Sequence, residues 1–176
     1  MRVGLLDIAA AGALAGALLL PAPSREIQPL FSSDTSLAPA IAKAQAEAQR
    51  SPPDGRAVAR LADLLVRARQ TDWAMRVAIA GAAVPSPGQW RPMVAASTTA
   101  AERADLLTAY AWAARALAVC EEPHSDCAEL ERGRLEIYVK ALAAVVESGI
   151  DPVKNPKGFE DVVRKAVPLI RMGKPK

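Results

Sequence analysis

The sequence predicts an all-α fold of about six helices arranged as antiparallel hairpins, either repeat-like or an irregular bundle. Three observations carry this. Hydrophobic residues make up 51% of the 176 residues but aromatics only 4%, and the excess is mostly alanine and leucine, both strong helix formers. Apolar residues recur at spacings of three and four in one segment after another, the period of a helix face. Prolines and short polar runs at 51–54, 85–92 and 121–126 interrupt those segments, as connections between doubled-back helices do. The length suits one sizeable domain, assigned to residues 36–171.

The chain opens with Arg2 and then an apolar run over 3–20 broken only by Asp7, followed by Pro21-Ala22-Pro23-Ser24. The unbroken part, 8–20, has the length of the apolar region of a secretory signal, and 1–24 reads as a signal peptide with a small-residue cleavage site. Counted from Val3, the run is long enough to be retained as an N-terminal membrane anchor with membrane contact through 3–20. A buried helix of the soluble fold is the third reading. Because the positive charge precedes the apolar run, the first two place the domain outside: periplasmic, soluble after cleavage or tethered to the inner membrane. Residues 25–35 read as a linker, with Ile27, Leu30 and Phe31 available to dock.

Residues 36–49 place Leu37, Ile41, Ala44 and Ala48 on one thin apolar face. Ser51-Pro52-Pro53-Asp54 then ends that helix and starts another, because proline is tolerated in a first turn and not in an interior. In 56–69, Val58, Leu61, Ala62, Leu65 and Ala68 form the apolar stripe, with Arg56, Arg60, Asp63 and Arg67 around the rest of the cylinder. After a turn at 70–72, Trp73, Ala74, Val77, Ala78 and Gly81 give a second, small-residue face on a helix over 73–84.

This hairpin carries a further pattern. With Val58 as an early bulky position, Leu61-Ala62 supplies a leucine and a small residue. Ala74, Ala78 and Gly81 occupy successive positions of the second helix, and Pro85 closes the unit. On these residues the stretch 55–88 resembles one tetratricopeptide repeat, departing from it at Leu65 and Ala78, where the family commonly carries rings. The resemblance implies a helical-repeat scaffold that works by binding. The two helices beyond it are longer and do not carry the pattern, which argues against a regular array.

Residues 85–92 read as a break longer than a simple helix turn, and such loops tend to be functional or loosely ordered. Trp90 beside Arg91 has the composition of an interface anchor; its alternative is a ring folded back as a lid on the core. Thr99-Ala100-Ala101-Glu102 reads as a capping box starting a helix of about 20 residues that ends near Cys120, with Leu107, Tyr110, Ala111, Ala114, Leu117 and Ala118 on its buried side. Asp126-Cys127-Ala128-Glu129 reads as a second box. Its helix carries Leu130, Leu135, Ile137, Tyr138, Ala141, Leu142, Val145 and Val146 to a stop at Gly149. Asn155-Pro156 opens a last helix with Phe159, Val162, Val163, Ala166 and Val167 on one face; Pro168 kinks or ends it, and a basic tail at 172–176 follows.

The net charge of +3 is uneven: residues 150–176 hold seven basic and three acidic side chains, and the remainder is about neutral. Such a tail can touch phosphates or anionic headgroups, but the expectation is a solvated terminus. No nucleic-acid partner is expected.

Between the long helices lies an elbow holding both cysteines of the chain, Cys120 and Cys127, and its one histidine, His124. Three readings stand: a disulfide across a helical hairpin, a metal site of two cysteines and His124 without an evident fourth ligand, or two buried thiols. An antiparallel turn brings positions so spaced close together, and export supplies the oxidising compartment, so the disulfide is expected. Closing that loop contributes roughly 2.5 kcal/mol on the chain-entropy estimate.

No glycine-rich phosphate loop, haem-attachment motif or metalloprotease motif occurs. With one histidine, catalysis would need carboxylates such as Asp63, Asp72, Glu102 or Glu136 to converge in space. No catalytic residue, cofactor or metal is therefore assigned. The expected function is that of a non-enzymatic exported scaffold or accessory subunit of an envelope complex, meeting a protein partner through Trp90, Arg91, Arg60 and Arg67. The competing class is a periplasmic small-ligand carrier or enzyme with a pocket between helices.

Overall fold

Helix starts and stops come first, because they decide which faces can meet. In the computed structural model, residues 35–50 and 54–167 are described. The expectations for 1–24, for most of the linker 25–35 and for the tail 172–176 lie outside them. The chain divides into two units, 1–31 and 32–176, and every described residue belongs to the second. After a single 3-10 turn, Thr35–Leu37, come α1 (Ala38–Arg50), α2 (Gly55–Arg67), α3 (Thr71–Ala82), α4 (Trp90–Glu102), α5 (Leu106–Cys120), α6 (Glu129–Ser148) and α7 (Pro156–Ala166). The fold is all-α, with seven α-helices and no strand among the described residues.

Asp54 caps α2, its carboxylate accepting from the Arg56 N–H at 2.9 Å, which satisfies one of the orphan donors of the first turn. The stripe of α2 is buried as predicted at Leu61, Ala62 and Leu65, and it meets Ile41 and Ala44 of α1 and Trp73, Ala74 and Ala78 of α3. The turn between α2 and α3 is a Schellman motif without glycine. Arg69 has φ 61°, its N–H donates to Val66 O, and the Gln70 N–H donates to Leu65 O at 2.8 Å.

The break at 85–92 is shorter than the proline content suggests. Trp90, Arg91 and Pro92 form the first turn of α4, where the amide that proline lacks has no intrahelical acceptor to lose. Gln89 reaches back to the end of α3, its side-chain amide donating to Ala82 O at 2.6 Å. The loop is seated by a close backbone approach: a Cβ on Gly55 at the start of α2 would collide with the Gly88 carbonyl.

The expected capping box at Thr99 is not a helix start. Thr99 is buried inside α4 and its hydroxyl donates to Ala95 O at 2.7 Å, the local bond that a threonine makes when a helix continues past it. The break falls instead at Ala104 (φ 58°), in a second Schellman motif in which Asp105 N–H donates to Ala100 O at 3.0 Å. Asp105 then caps α5 by accepting from the Thr108 N–H at 3.1 Å. This shortens α5 to 15 residues and turns its face. The buried stripe is Ala109, Ala113, Ala116 and Cys120, while Leu107 is exposed. Alanines on that face let α5 lie close against α4 and α6.

Along α6 the buried positions are Leu135, Leu142 and Val145; Leu130 and Ile137, expected in the core, are exposed. Gly149 ends the helix with φ 63°. Asn155 caps α7 by accepting from the Gly158 N–H at 2.9 Å, with Pro156 in the first turn, as the sequence predicts. Val167 has left the helical region, with φ −130° and ψ 75°, in keeping with the bar on helical backbone before a proline.

Each helix packs on the next, and α2 also packs on α4. Ser97, Thr99, Ala96 and Ala100 sit at the buried centre of α4. The Ser97 hydroxyl donates to Ala109 O at 2.7 Å and is hydrogen-bonded to the Tyr138 hydroxyl at 3.2 Å, tying α4 to α5 and α6. Burial pushes the Tyr138 hydroxyl above its ordinary pKa, with the Ser97 bond opposing it.

Candidate functional site: the stapled elbow and the groove on α4

Cys120 closes α5, and the chain turns through 121–126 to Cys127. The two cysteines are joined by a disulfide with a Cα–Cα distance of 5.2 Å. The metal and free-thiol readings of the elbow therefore fall away: no sulfur is left to ligate. Among the described residues, no group of three or more His, Cys, Asp or Glu side chains is placed to hold a metal. His124 is largely exposed, with Nε2 3.7 Å from Glu122.

The disulfide sets the position of its neighbour Asp126. The Asp126 N–H donates to Pro87 O at 3.0 Å, which lays the elbow against the loop before α4. Its carboxylate accepts from Trp90 Nε1 at 2.9 Å and from one guanidinium nitrogen of Arg91 at 2.6 and 2.7 Å. Arg91 is buried (side chain 9% exposed), with its other terminal nitrogen 3.8 Å from Glu131 of α6. The guanidinium also lies 4.3 Å over the Trp90 ring, a favourable cation–π placement. Burial pushes the Asp126 carboxyl up. The Trp90 and Arg91 hydrogen bonds and the Arg91 charge outweigh it, with a further pull from Arg56, and hold the group below the usual carboxylate range.

This engagement corrects two expectations. Asp126 does not cap α6. Ala128 takes the N-cap position, and the box is half formed, with the Glu131 carboxylate accepting from the Ala128 N–H at 3.1 Å. Nor do Trp90 and Arg91 project as exposed side chains: both are buried, at 7% and 8%, and Trp90 reaches the surface only as part of the lining of the clefts described below. The indole packs with Met93, Ala116, Cys120 and Leu135, and its N–H is satisfied by Asp126 at the surface of the elbow. The lid reading describes this ring.

The surface beside them is a groove. Trp90, Val94 and Thr98 follow one another at helical spacing along α4 and floor two clefts that open to solvent. One, about 360 Å³, lies toward Arg56, Ala59 and Asp63 of α2. The other, about 270 Å³, lies toward Glu131, Arg134, Leu135 and Tyr138 of α6. Both linings are mostly apolar in area.

The remaining candidates stand apart from the groove lining. Arg60 is exposed and pairs with Glu47 of α1 at 3.6 Å; Arg67 is exposed and pairs with Asp63 at 3.1 Å. Of the carboxylates considered for catalysis, Asp63 pairs with Arg67 and Asp72 with Arg103 at 2.9 Å. A break over 85–92 hides the alignment of Val94 and Thr98 with Trp90, and Arg56 and Arg134 join the groove only through the packing of α2 and α6 beside α4. A helix begun at Trp90 would have aligned Trp90, Val94 and Thr98 on one face. No helix among the described residues is long and apolar enough to cross a membrane. No protein-family model, curated protein or solved structure matches the chain.

Proposed function

We propose that the protein acts by binding, as an exported helical scaffold or accessory subunit that holds a segment of a partner protein along α4. The observation that carries this reading is the open, apolar groove floored by Trp90, Val94 and Thr98. Its floor is braced by the hydrogen bonds from Trp90 and Arg91 to Asp126. A preformed groove loses little conformational freedom when filled, so more of the contact energy appears as affinity. An enclosed pocket would suit a small-ligand carrier better; both clefts are open along one side of the helix.

Two further features support the reading. The α2–α3 hairpin bears the pattern that resembles a tetratricopeptide repeat, and α2 packs directly on α4, the first helix of the next hairpin, as stacked helical repeats do. The Cys120–Cys127 disulfide agrees with an oxidising compartment, and hence with the export that Arg2 and the apolar run at 3–20 predict.

The test replaces exposed Thr98 by a photo-crosslinking residue in the full chain, expressed in its source cell. One dominant covalent adduct is expected, lost when Val94→Arg fills the floor while the circular dichroism spectrum is unchanged. No adduct, or an adduct indifferent to Val94→Arg, overturns the groove as the binding surface. Intact mass before and after alkylation tests export: a mass lacking 1–24 marks cleavage, and thiols alkylated without reduction count against an oxidising compartment.

A further inference from the structure

The two sides of the groove differ in spare hydrogen-bonding capacity, and that difference identifies an occupant. The carboxylates near the floor are engaged. Asp63 accepts from Arg67 Nε at 3.1 Å, Glu131 accepts from the Ala128 N–H, and Asp126 takes the Trp90 and Arg91 donors. Arg56 on the α2 side and Arg134 on the α6 side are exposed and form no ion pair with any described residue. Including Arg67 and Arg91, four guanidinium groups face three carboxylates. What is left over is a forked donor on each rim, with apolar Val94 and Leu135 between them.

We propose that the groove takes an acidic segment of a partner protein, with carboxylates on Arg56 and Arg134 and an apolar side chain between them on Val94. This rests on the groove being the binding surface and goes on to name the chemistry of what fills it. A guanidinium matches a carboxylate with two parallel N–H donors. Exposed pairs of this kind add little stability each, so the apolar contact supplies most of the affinity. The arginines decide which segments are accepted and how fast they arrive. A basic segment would leave both rim arginines facing like charge and is disfavoured. A flat anionic membrane can reach the rims but not the floor.

Selection of phage-displayed random dodecapeptides on the full-length oxidised protein tests this. Recovered peptides are expected to be enriched in Asp and Glu flanking Leu, Met or Phe. The best of them, synthesised, should bind about tenfold or more weaker to the Arg56→Glu/Arg134→Glu protein, and weaker at about 0.5 M salt, where exposed charges are screened. Both arginines are exposed, so the variant should keep the wild-type circular dichroism spectrum, with only a small fall in melting temperature from the lost pull of Arg56 on Asp126. Peptides without acidic enrichment, or affinity unchanged by the double reversal, overturn the proposal. So does tighter binding of phosphatidylglycerol vesicles or a single-stranded oligonucleotide than of any peptide. If Val94→Arg abolishes peptide binding while the charge reversal leaves it intact, the groove stands and the acidic assignment falls. If no peptide is recovered and the Thr98 photoprobe captures nothing, the groove falls with it.

Discussion

The Asp126 carboxylate holds the buried Arg91 guanidinium at 2.6 and 2.7 Å across 35 positions of sequence. One acidic residue of the elbow thus anchors the first turn of α4, and with it the floor of the groove. Asp126→Asn keeps the shape and removes the charge, leaving Arg91 with Glu131 at 3.8 Å. Hydrogen bonds to charged groups contribute about 1.5–3 kcal/mol, and Asp126 is partly exposed, so a loss of about 1–2 kcal/mol is expected. Urea denaturation followed by circular dichroism reads the midpoint, and fluorescence in a Trp73→Phe/Trp112→Phe background reads the loosened Trp90 ring.

The same pair makes stability depend on acid. The Asp126 carboxyl lies below its ordinary pKa in the folded chain, so the unfolded chain binds the proton more readily. Its stabilising contribution is fully present above the unfolded value, near 3.9, and is lost as pH falls through the lower folded value. The gap between wild type and Asp126→Asn should therefore be constant at neutral pH and narrow steadily below about pH 4. Thermal melts across that range test it; a gap that widens on acidification would contradict the assignment.

Reducing the Cys120–Cys127 disulfide should cost more than loop entropy alone. The cross-link contributes roughly 2.5 kcal/mol through the unfolded chain, and it also fixes Asp126, next to Cys127, on Arg91. The reduced protein, or a Cys120→Ala/Cys127→Ala variant, should lose about 3–4 kcal/mol. Combining Cys120→Ala/Cys127→Ala with Asp126→Asn should cost less than the sum, because both changes release the same clamp.

Ala104 ends α4 with φ 58°, a left-handed conformation that costs a residue with a Cβ roughly 1–2 kcal/mol. Ala104→Gly keeps the Schellman bonds and removes that strain, partly offset by the greater freedom of unfolded glycine. A gain of about 0.5–1 kcal/mol in chemical denaturation is expected.

Gly55→Ala should act in the opposite direction. The added Cβ meets the Gly88 carbonyl, so α2 or the loop before α4 must move, at a cost of about 1–3 kcal/mol. If α2 shifts, the α2 side of the groove moves too, and peptide affinity should fall along with the melting temperature.

Short-range chemistry is legible along the chain. Alanine- and leucine-rich segments of helical period led to an all-α fold; Asp54, Gly149 and Asn155-Pro156 marked boundaries where they lie; and the cysteine spacing around a turn identified the disulfide. Each of these depends on residues close together in the chain. Tertiary structure decided the rest. Thr99 looks like a cap until packing carries α4 past it, and Asp126 looks like a cap until Trp90 and Arg91, far away in sequence, claim its carboxylate. Pro92 looks like part of a loop because nothing local distinguishes a proline in a first turn from one in a break. The buried stripe of α5 is alanine, which marks no core by size and becomes one because small residues let three helices meet. The groove on α4 follows from the same cause: it exists because α2 and α6 flank one face of that helix, an arrangement that long-range packing sets and that no short stretch of sequence encodes.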